Sequence, residues 1–353
     1  MSANFADHAG APLAPVSFDQ LPGWGEREAG ALLEGIARHT EPAIKERPHE
    51  APFLDAVDAL LSREDALSRD PRAFVARHFQ PLRIPQEGFL TAYYEPVIKA
   101  SRRRVGPFQT PFYRRPDDLV RVAPSADRPG DGTFARRHPD GSVGPYPDRV
   151  AIEAGALMGR GLEIAYVADP VDAFFAQVQG SARLSLTNGE TVRISYHGKT
   201  GHPYTAIGKV LIERGVLAKG GATMATIRDA LAADPALVKP VLSENRSFVF
   251  FRERPSAGDA FGPIAAAGLP LIAWRSLAVD RAFIKLGTPV YVETEVPGIG
   301  PFQGLMIAED TGSAIVGPSR GDIFMGSGDE AGRVAGAMKA AAKLTLIVPK
   351  AAF

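Results

Sequence analysis

Between residue 21 and about residue 83, apolar side chains recur every three or four positions, as in GEREAGALLEGIARHT (25–40) and APFLDAVDALLSRED (51–65). That spacing draws an apolar stripe along a helix, so this stretch is expected to be helical scaffold. Asp70-Pro71 has the form of a helix start, with Pro at the first helical position. The preceding residues, 1–20, are rich in Ala and Pro and are expected to form a flexible N-terminus.

After GFLTAYYEPVIKAS (88–101) the rhythm changes. Residues 105–150 are crowded with Pro, Gly, Arg and Asp, which marks turns between short strands. ARLSLTNGETVRISY (182–196) alternates apolar and polar residues on both sides of Asn188-Gly189, the signal of a β-hairpin. Helical patterns return at TAIGKVLIERG and TMATIRDALAADPALVKPVLSEN. From SFVFFRE onward, LPLIAW, PVYVETEV, GLMIAED, GDIFMG and KLTLIVP read as short strands separated by Gly/Pro turns, as in a small barrel.

At 353 residues the chain is long enough for two ordinary cores. Forty acidic residues balance forty basic ones, so no global field draws the protein to nucleic acid. With no cysteine in these residues, disulfides, thiolate metal sites and thiol nucleophiles are excluded here, and a Cys-linked lipid anchor is not expected. No apolar run reaches the roughly 20 residues that span a bilayer, and the first residues lack the pattern of a signal peptide. The seven histidines show no metal-ligand spacing, and neither a metal nor a cofactor is expected.

Asp310 and Asp322 each lie at the edge of a predicted strand beside Gly-rich chain. Carboxyl groups so placed suit general acid/base chemistry, although a turn aspartate that accepts backbone hydrogen bonds has the same appearance. Asp329 follows in GSGDEAG, where the spacing from Ser327 to Glu330 also fits a helix capping box. Tyr93 and Tyr94 end a strand-like run. Neighbours in a strand face opposite ways, so one can meet a ligand while the other packs in the core.

TAYYEP, FFAQVQGSARLSL, ENRSFVFFRE, LIAWRSLAVD and AEDTGSAIVGPSRGDIFMGSGDEAG occur in that order. Together they resemble the membrane-bound lytic murein transglycosylase A family, ending in its three-aspartate domain. The resemblance implies a mainly β fold with N-terminal helices: a double-psi β-barrel interrupted by a smaller inserted β domain, with a glycan groove between them. The boundaries that follow are 21–104 plus 242–353 for scaffold and barrel, and 105–241 for the insert. Carried over residue by residue, Asp322 matches the family's catalytic acid and Asp310 an assisting carboxylate. Tyr93, Tyr94, Gln177, Gln179, Gly180, Ser181, Asn245, Ser247, Phe248 and Asp329 are the expected sugar-binding set. Ala182 and Phe248 depart from the Gly and Tyr common in the family.

The implied activity is cleavage of the β-1,4 bond between N-acetylmuramic acid and N-acetylglucosamine, leaving 1,6-anhydromuramic acid ends. The implied partners are peptidoglycan glycan strands, with association with other cell-wall enzymes a further expectation. The implied location is the periplasm or the outer membrane. An inverting hydrolase with Asp310 as base, and a peptidoglycan-binding module without catalysis, are the alternatives that the residues leave open.

Overall fold

The computed structural model describes residues 13–40, 70–123, 133–254, 261–312 and 314–350. The helical pattern at 51–65 and the first twelve residues lie outside the described residues. Contacts separate the described residues into two units. One lies within Met1–Tyr94, Ala257–Gly326 and Glu330–Phe353, the other within Glu95–Ser256 and Ser327–Asp329. Among the described residues no helix is long and apolar enough to cross a membrane.

In the first unit, helix α1 (Glu26–Thr40) buries Ala29, Leu32, Leu33 and Ile36, the three-and-four spacing of its apolar stripe. The stripe packs on Tyr291, Leu305 and Ile347, each buried aliphatic side chain contributing about 1.5–3 kcal/mol. Gly35 lets the helix approach closely, since a Cβ there would lie 2.8 Å from Ile307. Helix α2 (Pro71–His78) starts as expected, with the Asp70 carboxylate accepting the Ala73 N–H at 2.9 Å.

The strands in chain order are β1 (Ala14–Pro15), β2 (Phe79–Arg83), β3 (Gly88–Glu95), β4 (Val97–Ser101), β5 (Thr110–Tyr113), β6 (Leu119–Val122), β7 (Thr133–Arg137), β8 (Val143–Gly144), β9 (Glu163–Val167), β10 (Ser181–Leu186), β11 (Thr191–Lys199), β12 (Val249–Arg254), β13 (Ser276–Val279), β14 (Pro289–Val296), β15 (Gly300–Asp310), β16 (Arg320–Ser327) and β17 (Lys339–Pro349). An eight-stranded sheet runs β1-β2-β17-β14-β15-β13-β16-β3, and β17 pairs with β3 as well. That extra pairing closes the last six strands into a ring, which removes their free edges.

The second unit holds a six-stranded sheet, β12-β11-β10-β4-β9-β5, and a three-stranded one, β6-β7-β8. The hairpin forms as β10 and β11. Its turn uses one positive φ, at Gly189 (88°); Asn188 instead accepts the Glu190 N–H with its side chain. Helix α3 (Pro170–Gln179) is capped by Asp169, starts on Pro170 and stops at Gly180, whose φ of 78° suits glycine.

Four expectations need correction. Ala14–Pro15 is a strand, paired with Leu82 and Arg83, within the stretch read as flexible. The helical region ends at His78, because Phe79–Arg83 pairs with β17. LPLIAW is not a strand: the chain turns there and Trp274 takes a left-handed φ of 61°. Finally, the units divide at Tyr94 and within 254–261 rather than at 104 and 241. The reason is pairing, since β4 runs parallel to β10 and β12 joins β11.

Glu95, at the end of β3, is fully buried. Arg193 grips it with two bonds of 2.6 and 3.1 Å, and Arg183 and the Ser327 hydroxyl reach it at 3.2 and 2.7 Å. A bidentate pair whose carboxylate takes further hydrogen bonds is the arrangement in which buried charges are tolerated. Replacing Glu95 by Ala takes the shared carboxylate from buried Arg193 and from Arg183. The variant is expected to lose about 3–5 kcal/mol of stability, measured by urea unfolding; an unchanged midpoint contradicts the role assigned to Glu95.

Candidate active site

The first unit places the two predicted aspartates by backbone register. Ala278 on β13 pairs with Asp310 in the parallel direction and with Asp322 in the antiparallel direction. Register partners share one face of a sheet, so both carboxylates project to the side of Ala278, whose methyl leaves space between them. Two strand spacings separate their Cα atoms, about 10 Å. A β-bulge between Leu277 and Ala278 admits Glu309 as an extra residue and brings Asp310, rather than Glu309, opposite Ala278.

Asp322 accepts a hydrogen bond at Oδ1 from the Thr91 hydroxyl. Burial drives its pKa up to about 6; Thr91 and the Arg320 charge oppose the rise and Asp310 adds to it. Close packing surrounds the strand at this point: a Cβ on Gly321 would sit 2.7 Å from Leu90. Among the described residues, nothing donates a hydrogen bond to Asp322 Oδ2.

Asp310 is held from two sides. Tyr93 donates to Oδ2 at 2.9 Å and the Ala266 N–H to Oδ1 at 3.0 Å. Burial raises its pKa, the Ala266 and Thr311 amides and Tyr93 resist, and the neighbouring Glu309 pushes it further up. Tyr93 itself is raised well above the usual phenol, first by burial, then by Asp310 and, more weakly, by Asp322 and Glu309. Its ring rests 5.3 Å from that of Phe324. Tyr94 is a core residue, 6% exposed, lying against Gly332.

Glu309, which the sequence did not single out, is buried among Arg38 (3.1 Å), His39 (3.2 Å) and the Ser276 hydroxyl. Thr91 and Arg320 were likewise missed. Their signal was the alternation in FLT and RGD, which sets Phe89 and Thr91 on one face of β3 and Arg320 and Asp322 on one face of β16.

In the second unit four of the expected sugar contacts pack around one arginine. Arg149 is 2% exposed and donates to Gln177 Oε1 (2.6 Å) and to the carbonyls of Asn245 (2.9 Å) and Ser247 (2.8 Å). Its guanidinium lies over the rings of Phe174 and Phe248 at 4.8 and 5.2 Å. Asn245 spends its side-chain oxygen on the amides of Thr205 and Ser247. A buried guanidinium has five donors to satisfy, which is why Gln177, Asn245, Ser247 and Phe248 form its cage instead of an open surface.

Ser181 is buried where β10 begins, paired with Ser195. Gln179 and Gly180 remain partly exposed at the end of α3. Asp329 is exposed at the first position of its helix (Asp329–Ala337). The expected capping box does not form, because the Ser327 hydroxyl is drawn to Glu95 and Glu330 pairs with Arg333 at 2.6 Å.

A family model described as the MltA specific insert domain matches residues 89–252, and one described as the 3D domain matches residues 275–348. The membrane-bound lytic murein transglycosylase A of Escherichia coli (strain K12) is 36% identical over 255 residues, which are 70% of this chain and 61% of that protein. The matched region therefore spans less than two thirds of that relative. A crystal structure of the membrane-bound lytic murein transglycosylase from Agrobacterium tumefaciens is 39% identical, with a TM-score of 0.84, covering 96% of this chain and 98% of that one. The structure of E. coli MltA with bound chitohexaose is 28% identical, with a TM-score of 0.74, covering 96% and 94%.

The raised pKa of Asp322 has a consequence for stability. Between the ordinary carboxylate value near pH 4 and about pH 6, the folded protein holds a proton that the unfolded chain has released. Stability therefore falls as pH rises through that window. Asp322→Asn lacks this penalty, so its melting temperature is expected to gain on the wild type between pH 4 and pH 7. A difference that stays constant with pH contradicts the assignment.

Proposed function

This chain belongs to the membrane-bound lytic murein transglycosylase A family, and from that premise we propose that it cleaves peptidoglycan glycan strands without consuming water. The bond is the β-1,4 link between N-acetylmuramic acid and N-acetylglucosamine. In this reading the closed six-stranded ring is a double-psi β-barrel, and the protein works at the murein in the periplasm, attached to or near the outer membrane.

Asp322 carries the chemistry. A carboxyl group with a pKa near 6 keeps a useful fraction of its proton close to neutrality while remaining a competent base once it has given the proton up. Protonated, it delivers that proton to the glycosidic oxygen as the bond to C1 breaks. The resulting carboxylate then takes the proton of the muramic C6 hydroxyl while that oxygen closes on C1. One 1,6-anhydro ring and one free N-acetylglucosamine end result, and Asp322 returns to its starting state. Burial sustains the high pKa and the Asp310 charge adds to it, while Tyr93 holds Asp310 in place.

The rival hydrolytic route needs Asp310 as a base acting on water, with the carboxyls roughly 6.5–9.5 Å apart. The register is compatible with such a span, but both Asp310 oxygens already accept hydrogen bonds. That occupancy favours a supporting role. For sugar recognition, Tyr93 keeps partly exposed surface beside the aspartates; a neutral sugar is oriented by a few such polar groups.

Digestion of murein sacculi with mass spectrometry of the soluble products tests the reading. Wild-type protein is expected to release fragments ending in 1,6-anhydromuramic acid, and Asp322→Ala to lose turnover by at least about 100-fold with glycan binding retained. Asp310→Asn is expected to keep more activity than Asp322→Ala. Reducing ends that carry oxygen from labelled water identify a hydrolase; binding without any products identifies a non-catalytic module.

A further inference from the structure

Resting on the reading of Asp322 as the acid, the geometry around one of its oxygens supports a finer statement about where its proton sits. Arg320 Nη2 donates to the Thr91 hydroxyl oxygen at 2.6 Å. A guanidinium has only donors, so this contact makes the Thr91 oxygen an acceptor. The single hydroxyl hydrogen must then point elsewhere, and Asp322 Oδ1 is where the Thr91 hydroxyl is engaged. An oxygen already accepting that hydrogen is a poor place for a second proton. We propose that Arg320 and Thr91 form a one-way hydrogen-bond chain that fixes the acid proton of Asp322 on Oδ2.

The chain is braced at its far end. Arg320 Nη1 donates to the carbonyl of Phe89 at 3.2 Å and to that of Gly321, and its guanidinium lies over the Phe89 ring at 5.2 Å. Three acceptors and an aromatic face hold the group flat, so Nη2 stays aimed at Thr91. Phe89 and Thr91 on β3, and Arg320 and Asp322 on β16, each sit two residues apart, which gives both pairs a common face. Oδ2 receives no hydrogen bond among the described residues, so it is the oxygen that can present its proton to a glycosidic oxygen.

Arg320 and Thr91 are positioning residues. They touch neither the scissile bond nor its leaving group and act through the carboxyl. The titratable and charged groups around Asp322 are Arg320 on its own strand, Asp310 on β15 and Tyr93 on β3; Glu309 bears on Asp310 and Tyr93. Removing Thr91's hydroxyl takes a stabilising bond from the carboxylate form. Removing Arg320 takes both a charge and the constraint on the Thr91 rotor. Both changes therefore raise the Asp322 pKa.

The test reads that pKa without any need for turnover. In full-length protein labelled with 13C at the aspartate carboxyls, the Asp322 resonance is assigned by its loss in Asp322→Asn and titrated in each variant. Thr91→Val and Arg320→Met are each expected to move the midpoint up by about one unit, the equivalent of one ordinary hydrogen bond. The double variant is expected to move it by less than the sum, because the two act through one chain. Thr91→Ser is expected to restore the wild-type midpoint. In murein digestion, the alkaline limb of kcat/KM should follow the same shifts, with kcat reduced about tenfold in Thr91→Val.

An unmoved midpoint in Thr91→Val, or shifts that add fully in the double variant, overturns the chain. Should Thr91→Val not fold, Thr91→Ala takes its place: the Arg320→Met shift is expected to be smaller in that background than in the wild type, whereas an arginine acting by its charge alone gives the same shift in both and overturns the chain. Product analysis of the wild type fails or succeeds independently of these titrations, so loss of the transglycosylase reading is distinguishable from loss of the proton assignment.

Discussion

The pairing of one four-residue strand governs the site. Strand β13 runs parallel to β15 on one side and antiparallel to β16 on the other, and Ala278 is the point where both registers meet an aspartate. Neither acid could reach this arrangement through local sequence, because they come from separate strands with β13 between them. The ring closed by β17 and β3 then holds that register without a free edge at which strands slip. The side-chain chemistry follows from backbone hydrogen bonds made elsewhere.

The protein treats its buried charges in two ways. Glu95 with Arg193, and Glu309 with Arg38, are ion pairs whose oxygens are engaged by several donors. Such groups cost little once matched and fix the geometry around them. Asp310 and Asp322 have no comparable counter-charge within bonding reach of both oxygens; Arg320 acts on Asp322 through a hydroxyl. Their folded environment favours the protonated form, which weakens the fold near neutrality and suits the acid role proposed for Asp322. The contrast separates framework from candidate site more sharply than burial alone, since Glu309 and Asp310 are adjacent in sequence.

Periodic features were readable in the sequence because they depend on neighbours along the chain. The α1 stripe, the Asp70-Pro71 cap and the 181–199 hairpin are of this kind, and the family motifs supplied the two aspartates. What escaped is non-local. LPLIAW has the composition of a strand, yet Trp274 adopts a left-handed turn whose N–H bonds the Phe324 carbonyl. Gln177, Asn245 and Ser247 have the polarity of ligand contacts, and only the buried Arg149, distant in sequence, shows what they are matched to. Tyr93 and Tyr94 divided as strand alternation requires: one reaches Asp310, and the other lies in the core.

The bulge that admits Glu309 has a bearing on how this site can vary. The spacing between Asp310 and Asp322 is set by the number of residues threaded through β15, with the identities of those residues secondary. Ordinary substitutions along β15 leave that count unchanged, so the separation is buffered against the commonest kind of mutation. A single-residue deletion beside a retained bulge is different: it would bring Thr311 opposite Ala278 while the surrounding ladder could re-form. Divergence in catalytic spacing within such a fold is therefore expected to arise from insertions and deletions, in discrete steps of one residue.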